Sequence, residues 1–446
     1  MKTCLIALAA APAAGLMVEL AVDLNSPDME ASSKFGLWKS TFEVAYETAE
    51  AEARALAAFL ETDARIVAHN AKNSTYKLGH NEFSGMFWDE FVAQYVGDAT
   101  GAKAYMERER NYDYTLAKQV DAVASDVDWV ASGAVTGVKN QGQCGSCWSF
   151  STTGALEGAF EIAGNTLTSL SEQNLVDCDT TDSGCNGGLM DNAFKWIQSN
   201  GGICSEADYA YTAAKGTCKT TCDKVATLSG HTDVPSGDED ALKTAVAIGP
   251  VSIAIEADKS VFQSYSSGIL DSSACGTNLD HGVLVVGYGT DDGSDYWKVK
   301  NSWGTTWGES GYVRIARGSN ICGIASEPSY PTGAAKPSGV ADAETHYGDP
   351  NVGCEADELK VQIQGLAGEI CSPSCTAAAC PTDVPAGVTA KPQCALSDAA
   401  SGKKYCALMC SPSTDEASLR AGDAQCGDKA SCKAISGLGI CTYDSR

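Results

Sequence analysis

Basic residues and long apolar runs are both scarce in this chain of 446 residues. It has 31 Lys and Arg against 57 Asp and Glu, a formal net charge of -26 at pH 7. Without a basic excess, no face is suited to a phosphate backbone or an anionic membrane, so neither nucleic acid nor membrane partners are expected. Apart from the amino terminus, no stretch approaches the roughly 18 apolar residues of a membrane span. We expect a soluble protein of several domains.

The amino terminus has the order of charges and apolar residues that is typical of a secretory signal peptide. A basic start at Lys2 is followed by an apolar run from Cys4 to Leu8 and by small residues to Ala14. We therefore assign residues 1–17 to a signal peptide and expect the secretory pathway, with the lysosome or vacuole, or the extracellular space, as destination. A buried helix is the alternative interpretation.

Histidine is scarce too, with five residues, whereas cysteine is abundant, with 20. Such cysteine usage in a secreted chain indicates disulfides. Nine cysteines lie between Cys144 and Cys322, and ten between Cys354 and Cys441. Ten can pair completely, whereas nine leave at least one thiol free. A free thiol in a secreted protein is where chemistry is expected.

The segment before the central region is helical in character. Residues 27–97 are rich in Ala, Glu and aromatic side chains. Apolar residues at near-helical spacing predict one long amphipathic helix from Phe42 to Asn70, and a shorter helix from Phe87 to Tyr95.

The rest of the chain changes character twice. Residues 122–332 combine a helix after Cys147 with strand-like runs at 283–287 and 296–300, which predicts an α+β domain. The remaining boundaries follow from composition: linkers at 98–121 and 333–353, and a separate cysteine-rich module at 354–446.

The segment Gln141-Gly-Gln-Cys-Gly-Ser-Cys147-Trp-Ser-Phe150 precedes small and apolar residues suited to a buried helix. A helix that begins near Cys147 would lower its thiol pKa through free amides and the helix dipole, and so activate a nucleophile. Three other interpretations compete: a redox pair with Cys144, half of a zinc site, and a structural disulfide. The redox pair lacks a preceding strand, and the zinc site lacks a second C-x-x-C.

A histidine and an asparagine downstream complete the pattern. His281 starts an apolar strand 134 residues after Cys147, and Asn301 follows at 154 residues. The Asn301 carboxamide can accept the imidazole N–H, and Trp303 can shield that hydrogen bond from water. A buried imidazole of this kind can hold a thiolate–imidazolium pair. A structural disulfide through Cys147 leaves these two contexts unexplained.

These motifs resemble the papain superfamily, and within it the cathepsin L-like branch, over Val127 to Thr332. The resemblance implies an α+β papain-like fold, with a helical lobe and a β-barrel-like lobe, and peptide bond hydrolysis by acyl transfer. It implies that Gln141 and the Cys147 backbone N–H form the oxyanion hole. It also implies protein and peptide substrates, no metal and no cofactor.

The resemblance extends to disulfides. Family pairing implies Cys144–Cys185, Cys178–Cys218 and Cys275–Cys322. Because Cys147 is kept as the nucleophile, Cys204 and Cys222 remain, and we predict that they form an extra bridge.

The resemblance also assigns substrate contacts. They are Gly187, Gly188, Leu189, Met190, Ala257, Leu279, Asp280, Gly282, Trp303 and Glu327. Such an S2 pocket favours Leu, Phe or Val at P2, and an acid at Glu327 would also admit Arg. The alternative is that Glu327 points to solvent. No His-His insertion precedes His231, so we expect an endopeptidase rather than an exopeptidase.

The segment 27–97 is similar to the inhibitory propeptide of this family, of the I29 type. Its helix matches the E-R-F-N-I-N pattern at Phe59, Ile66 and Asn70. The second motif, G-x-N-x-F-x-D, has Gly85 in place of Asp. Asn73 starts the only glycosylation sequon. We expect the propeptide to inhibit its own enzyme, and maturation to cut between residues 119 and 126.

The leading hypothesis is therefore a monomeric cysteine endopeptidase zymogen with a helical propeptide and a small disulfide-rich C-terminal domain. The alternative is a catalytically silent papain-fold scaffold that presents the cysteine-rich module.

Overall fold

The computed structural model describes residues 24–25, 29–96, 111–115, 123–337, 346–350, 354, 357–385, 388–398, 401–411, 425–426, 430–435 and 438–443. The chain forms two compact units, Met1–Ser338 and Gly339–Arg446. The predicted signal peptide at 1–17 and most of the predicted linker at 98–121 lie outside the described residues. Within the described ranges, no helix has both the length and the apolar character that crossing a membrane requires.

We call residues 24–96 the pro segment, and its described residues form three helices and a strand. They are α1 (Ala31–Thr41), α2 (Ala49–Asn70), β1 (Tyr76–Leu78) and α3 (Trp88–Tyr95). The single long helix that we predicted from Phe42 is wrong at its start. Helix α2 begins later because the Thr48 hydroxyl accepts the Ala51 N–H at 3.1 Å and caps it. The short helix is close to its prediction.

Aromatic packing replaces part of the expected motif in the pro segment. The Trp38 ring packs against Phe59, with ring centroids 5.5 Å apart, and its indole N–H donates to the Asn81 carbonyl at 2.8 Å. At Gly85, a Cβ would lie 2.5 Å from the Trp38 ring. Trp38 therefore fills the space that the side chain of the motif's Asp would need.

A buried ionic cluster lies beside this aromatic core. Asp63 accepts from Lys34 at 2.7 Å and pairs with His80 Nε2 at 3.0 Å. The His80 ring stacks on Phe59 at 4.3 Å, and its side chain is fully buried. Burial lowers the pKa of His80, the Asp63 hydrogen bond opposes this, and the positive charges of Lys34 and Arg65 add to the lowering.

The central domain combines helices and strands. The helices are α4 (Cys147–Ile162), α5 (Glu172–Cys178), α6 (Met190–Ser199), α7 (Glu239–Ile248) and α8 (Ser260–Gln263), with a 3₁₀ turn at Ile321–Gly323. The strands are β2 (Val127–Asp128), β3 (Ile203–Cys204), β4 (Lys224–Ala226), β5 (Gly230–Asp233), β6 (Val251–Ile255), β7 (Tyr265–Leu270), β8 (His281–Asp291), β9 (Ser294–Lys300), β10 (Tyr312–Ala316) and β11 (Ser329–Thr332). The two predicted strands lie within β8 and β9.

These elements form two lobes with separate hydrophobic clusters. Helices α4, α5 and α6 surround a cluster that includes Leu156, Leu175 and Phe194. Within the described ranges, the main sheet has the order β1-β7-β10-β9-β8-β6-β11-β5, with β2 paired to β8. This arrangement confirms the papain-like α+β fold.

The pro segment continues the architecture of the central domain. Strand β1 extends the sheet antiparallel to β7, with Tyr76 opposite Gly268. Ile66, Phe83 and Phe91 are buried in the same cluster as the sheet residues of the central domain. Each such side chain contributes about 1.5–3 kcal/mol when it is fully buried. The pro segment is therefore held by core packing as well as by hydrogen bonds.

The second unit is a disulfide-rich sheet. Its described strands are β12 (Glu358–Gln362), β13 (Glu369–Pro373), β14 (Lys391–Ser397), β15 (Lys404–Cys410), β16 (Ala430–Ile435) and β17 (Leu438–Tyr443). One disulfide, Cys410–Cys432, joins two strands, and the others tie a strand to a residue outside the strands: Cys354–Cys371, Cys375–Cys394, Cys380–Cys406 and Cys426–Cys441. Buried cystines supply much of its core, as expected of a module with few large apolar residues.

The buried His80 makes the pro segment sensitive to acid. Because the folded pKa of His80 is lower than the unfolded value of about 6.5, its stabilising contribution is complete above about pH 6.5 and is lost as the pH falls from there. In a Cys147→Ala background, which removes the expected nucleophile, the His80→Gln variant keeps a donor for Asp63 but does not titrate. We expect its acid unfolding midpoint to lie about half a pH unit or more below that of the parent.

Tryptophan fluorescence of the intact zymogen between pH 7 and pH 3 measures this midpoint. The control is His69→Gln, a substitution in helix α2 of the pro segment but outside the ionic cluster. Equal midpoints for His80→Gln and the parent would contradict the prediction.

Candidate active site

The free thiol lies at the start of a helix. Cys147 is the first residue of α4, as predicted, and it is the free cysteine among those that the structure describes. Ahead of it, the Gly145 N–H donates to the Cys185 carbonyl at 2.9 Å, and a Cβ at Gly145 would lie 2.6 Å from that oxygen. Gly145 therefore lets the chain segments around Gly145 and Cys185 approach closely before the helix begins.

Two buried side chains from the sheet lobe form an imidazole–carboxamide pair. His281 opens β8 and Asn301 directly follows β9, so adjacent strands bring them together. His281 Nε2 lies 2.8 Å from Asn301 Oδ1, which also accepts the Ser302 N–H at 2.8 Å. Because Oδ1 is an acceptor, the proton of a neutral imidazole lies on Nε2. His281 Nδ1, which has no hydrogen-bond partner among the described residues, is then left as the basic atom.

An indole covers this hydrogen bond. The Trp303 ring stacks on His281 with centroids 4.7 Å apart and an interplanar angle of 26°. It is completely buried, and the Trp307 ring meets it edge-on at 5.3 Å. The sequence predicted this shield, and the structure places it over the imidazole.

Gln141 is fixed on both sides of its amide. Its Oε1 accepts the Ser302 hydroxyl at 2.7 Å, so its Nε2 is the donor that remains. That Nε2 lies 3.1 Å from the Cys144 carbonyl. The sequence analysis missed Ser302, although it directly follows Asn301. A hydroxyl beside a buried carboxamide was the available signal.

The pro segment reaches this site through its backbone. Gln141 Nε2 also donates to the carbonyl of Tyr95, the last residue of α3, at 3.2 Å. Phe91 of the same helix packs edge-on against Trp303, with centroids 5.1 Å apart. The contact at Tyr95 was not predicted, because a backbone carbonyl leaves no trace in side-chain patterns.

Burial sets the ionisation of the thiol and the imidazole in this covered form. It raises the pKa of Cys147 to about 11, although the Gly282 and Trp148 amides act in the opposite direction. It lowers the pKa of His281 to about 4, although the hydrogen bond with Asn301 acts to raise it. The lowered thiol pKa that the sequence predicted therefore does not hold for the covered zymogen, because the loss of water outweighs the amides.

Backbone geometry distinguishes the predicted substrate-contact glycines. Gly187 has a φ of +107°, which favours glycine. A Cβ at Gly188 would lie 2.6 Å from the Trp148 ring, and one at Gly282 would lie 3.3 Å from the Cys147 carbonyl. Gly188 and Gly282 therefore let the backbone approach Trp148 and Cys147 closely, whereas Gly187 is favoured by its φ alone, because a Cβ there would meet nothing within 4 Å.

The remaining predicted contacts fall in more than one place. Met190, which begins α6, and Leu279 share the hydrophobic cluster of the helical lobe, and Leu189 packs against it. Ala257 belongs instead to the cluster of the sheet lobe, and its N–H donates to Asp280 Oδ1 at 2.7 Å.

Glu327 is buried, with 2% of its surface exposed. The alternative that it points to solvent does not hold.

The predicted cysteine pairs of this domain are joined in the structure. They are Cys144–Cys185, Cys178–Cys218, Cys204–Cys222 and Cys275–Cys322. Because Cys144 bonds to Cys185, it is not a redox partner of Cys147 here.

One group of side chains outside the site has the spacing of metal ligands. Asp191, His231 and Asp233 each place one ligand atom within 4.8 Å of the others. Asp191 already accepts the Ser329 hydroxyl at 2.6 Å, and Asp233 accepts the Asn111 N–H at 2.6 Å. These hydrogen bonds give the three side chains a structural role that explains why they lie together.

The fold and this site define the class of protein: a cysteine protease with its pro segment in place. Residues 123–332 match the model of the papain family of cysteine proteases, and residues 35–91 match the cathepsin propeptide inhibitor domain (I29). The chain belongs to the papain family, as the sequence resemblance predicted.

Relatives and solved structures agree with this family. The chain is 46% identical to cysteine protease XCP2 of Arabidopsis thaliana over 322 residues, 70% of this chain and 90% of that protein. It is 50% identical to cathepsin L of Sarcophaga peregrina over 287 residues, 61% of this chain and 85% of that protein. The structure of recombinant stem bromelain precursor matches with a TM-score of 0.63 and 38% identity, covering 68% of this chain and 99% of that one.

The pKa shifts predict a slow thiol in the zymogen. With a pKa of about 11, Cys147 of the intact zymogen is almost entirely protonated at pH 7, and iodoacetamide should alkylate it slowly until the pH exceeds about 10. We expect removal of the pro segment to readmit water to Cys147 and to leave the helix amides dominant, so that the rate at pH 7 rises at least about a hundredfold.

Alkylation that is quenched at timed intervals and followed by peptide mapping gives the rate at Cys147 for the intact zymogen and for the protein without its pro segment. Free cysteine at the same pH serves as the reference thiol. A zymogen that reacts as fast as the mature protein would contradict the prediction.

Proposed function

We propose that this protein is the zymogen of a cysteine endopeptidase with Cys147 as nucleophile, His281 as general acid and base, and Asn301 as the residue that orients the imidazole. The observation that supports this most directly is the 2.8 Å contact between His281 Nε2 and Asn301 Oδ1. It fixes the tautomer that leaves Nδ1 as the base, in a domain whose free thiol begins the neighbouring helix.

The first chemical step forms a thioester. Once the pro segment has left, the thiol proton moves from Cys147 to His281 Nδ1, and the sulfur attacks the peptide carbonyl carbon. The carbonyl electron pair moves to oxygen, where Gln141 Nε2–H and the Cys147 backbone N–H donate to it. Collapse of this intermediate expels the amine, which takes its proton from His281 Nδ1.

The second step releases the acid. Water loses a proton to His281 Nδ1 and attacks the thioester carbonyl through the same oxyanion contacts. The carbon–sulfur bond breaks and Cys147 recovers its proton. Asn301 keeps the Nε2–H bond throughout, so the imidazole does not rotate between steps. Neither a metal nor an organic cofactor enters this sequence.

The pro segment is proposed to inhibit by occupying the donor that the reaction needs. The Tyr95 carbonyl takes the Gln141 Nε2–H at 3.2 Å, and Phe91 covers the outer face of Trp303. A substrate carbonyl cannot use the same donor while Tyr95 holds it. The match of residues 35–91 to a propeptide inhibitor domain supports this role.

Further proposals concern specificity and processing. Met190 and Leu279 favour Leu, Phe or Val at P2, and Glu327 would admit Arg. Asn73, whose side chain is exposed, is proposed as a glycosylation site. Maturation between residues 119 and 126, a monomeric state, and a lysosomal, vacuolar or extracellular destination stay predictions. The disulfides are typical of a secretory-pathway protein.

Active-site labelling tests the proposed mechanism. After acid activation, an epoxide that alkylates reactive thiols should label Cys147 and abolish hydrolysis of a Phe-Arg fluorogenic peptide. His281→Ala should lower kcat/KM by about a thousandfold or more. Asn301→Ala should lower it by about tenfold to a hundredfold, since a hydrogen bond to a charged group is lost.

Peptide mapping locates the label, and His231→Ala is the control histidine variant. Failure to label or to cleave, after confirmed removal of the pro segment, would favour the silent scaffold.

Substitution of Glu327 tests the specificity proposal. Glu327→Gln keeps the shape of the side chain but removes its charge. We expect kcat/KM for an Arg-Arg peptide to fall by about tenfold or more, because the paired guanidinium loses its charged acceptor, with little change for a Phe-Arg peptide. The Phe-Arg rate of the same variant is the internal control. An unchanged ratio of the two rates would remove Glu327 from the pocket.

A further inference from the structure

A chain of two hydroxyls crosses the loop between Gln141 and Ser146. The Tyr211 hydroxyl donates to the Gln141 carbonyl at 2.8 Å and lies 2.6 Å from Ser146 Oγ. Tyrosine has one hydroxyl proton, which the carbonyl takes, so Ser146 is the donor in the second contact, which is much shorter than the 3.4 Å from Ser146 Oγ to the Cys144 carbonyl. One side chain thus holds both ends of this loop.

This loop separates the two donors of the proposed oxyanion hole. Gln141 supplies its side-chain amide, and Cys147, directly after Ser146, supplies its backbone N–H. Their separation therefore depends on how firmly the two loop ends are fixed. Tyr211 joins these ends from a segment 70 residues away from Gln141 in sequence.

Tyr211 is itself rigidly held. Its ring meets the ring of Phe150 in helix α4 edge-on, with centroids 4.9 Å apart and an interplanar angle of 79°. Its N–H donates to Glu206 Oε1 at 2.9 Å. Burial raises the pKa of Tyr211, so the hydroxyl keeps its proton at every pH at which the enzyme would work.

We propose that Tyr211 is a positioning residue for the oxyanion hole, acting through its hydrogen bonds to Gln141 and Ser146. The proposal rests on the proposed function and deepens it. Oxyanion stabilisation requires both donors at about 2.7–3.1 Å from the developing charge, so a loosened loop end weakens the transition state more than it weakens substrate binding.

The test compares Tyr211→Phe with Tyr209→Phe in the mature enzyme. The first variant keeps the ring against Phe150 and removes the hydroxyl. The second removes a hydroxyl two residues earlier, which donates to Asp177 at 2.8 Å and lies outside the loop. Three quantities are measured: kcat and KM on a Phe-Arg peptide, affinity for a peptide aldehyde, and the pH profile of alkylation by iodoacetamide.

We expect Tyr211→Phe to lower kcat about threefold to tenfold with KM unchanged, because the two neutral hydrogen bonds that are lost act on the transition state only through the position of the loop ends. Aldehyde affinity should fall by the same factor, because the adduct oxygen occupies the hole. The alkylation profile should not change, because alkylation uses the thiolate alone. Tyr209→Phe should match the wild type in all three.

Other outcomes overturn the proposal. Unchanged kcat and aldehyde affinity would do so. A slower alkylation of Cys147 together with a lower melting temperature would also do so, because it indicates a purely structural role. If Tyr211→Phe does not fold, Ser146→Ala replaces it. This variant should lose less aldehyde affinity than Tyr211→Phe and should keep the alkylation rate unchanged. Unchanged aldehyde affinity in Ser146→Ala would overturn the proposal. A wild-type protein that neither cleaves peptide nor is labelled at Cys147 would instead refute the proposed function.

Discussion

The close approach of helix α4, which begins at Cys147, to strand β8 is the constraint on which the site depends. At Gly282, a Cβ would lie 3.2 Å from the Trp148 Cα, and at Gly154 it would lie 2.7 Å from the Leu284 side chain. Two glycines, one on each element, therefore let the helical lobe and the sheet lobe meet. Because His281 directly precedes Gly282, the same contact places the imidazole beside the first turn of the helix.

The pro segment uses the same features that the catalytic domain needs. Its aromatic side chains join the core cluster of the sheet lobe, and Phe91 packs on the indole that shields the imidazole. The same interface between the pro segment and the central domain therefore contributes to both inhibition and folding. In this form burial favours the neutral thiol at Cys147 and the neutral imidazole at His281.

Sequence reasoning went furthest where spacing encodes chemistry. The helix start at Cys147, the papain-like fold and the strands that hold His281 and Asn301 followed from motifs. Contacts made by backbone atoms did not, as with the Tyr95 carbonyl, because any residue supplies one. The start of α2 was missed because composition hardly changes at its Thr48 cap. The thiol pKa depends on how deeply Cys147 is buried in the folded chain, which no local sequence pattern reports. The pairing within the cysteine-rich module was open because ten cysteines allow many connectivities.

The packing of Trp38 against Gly85 has a consequence for how this sequence is compared with others. Since a Cβ at position 85 would lie 2.5 Å from the indole, the two positions are coupled in this chain, and a larger side chain at position 85 requires the indole to move or position 38 to become smaller. Substitutions at the two positions should therefore be interpreted together, because the effect of either one depends on the residue at the other.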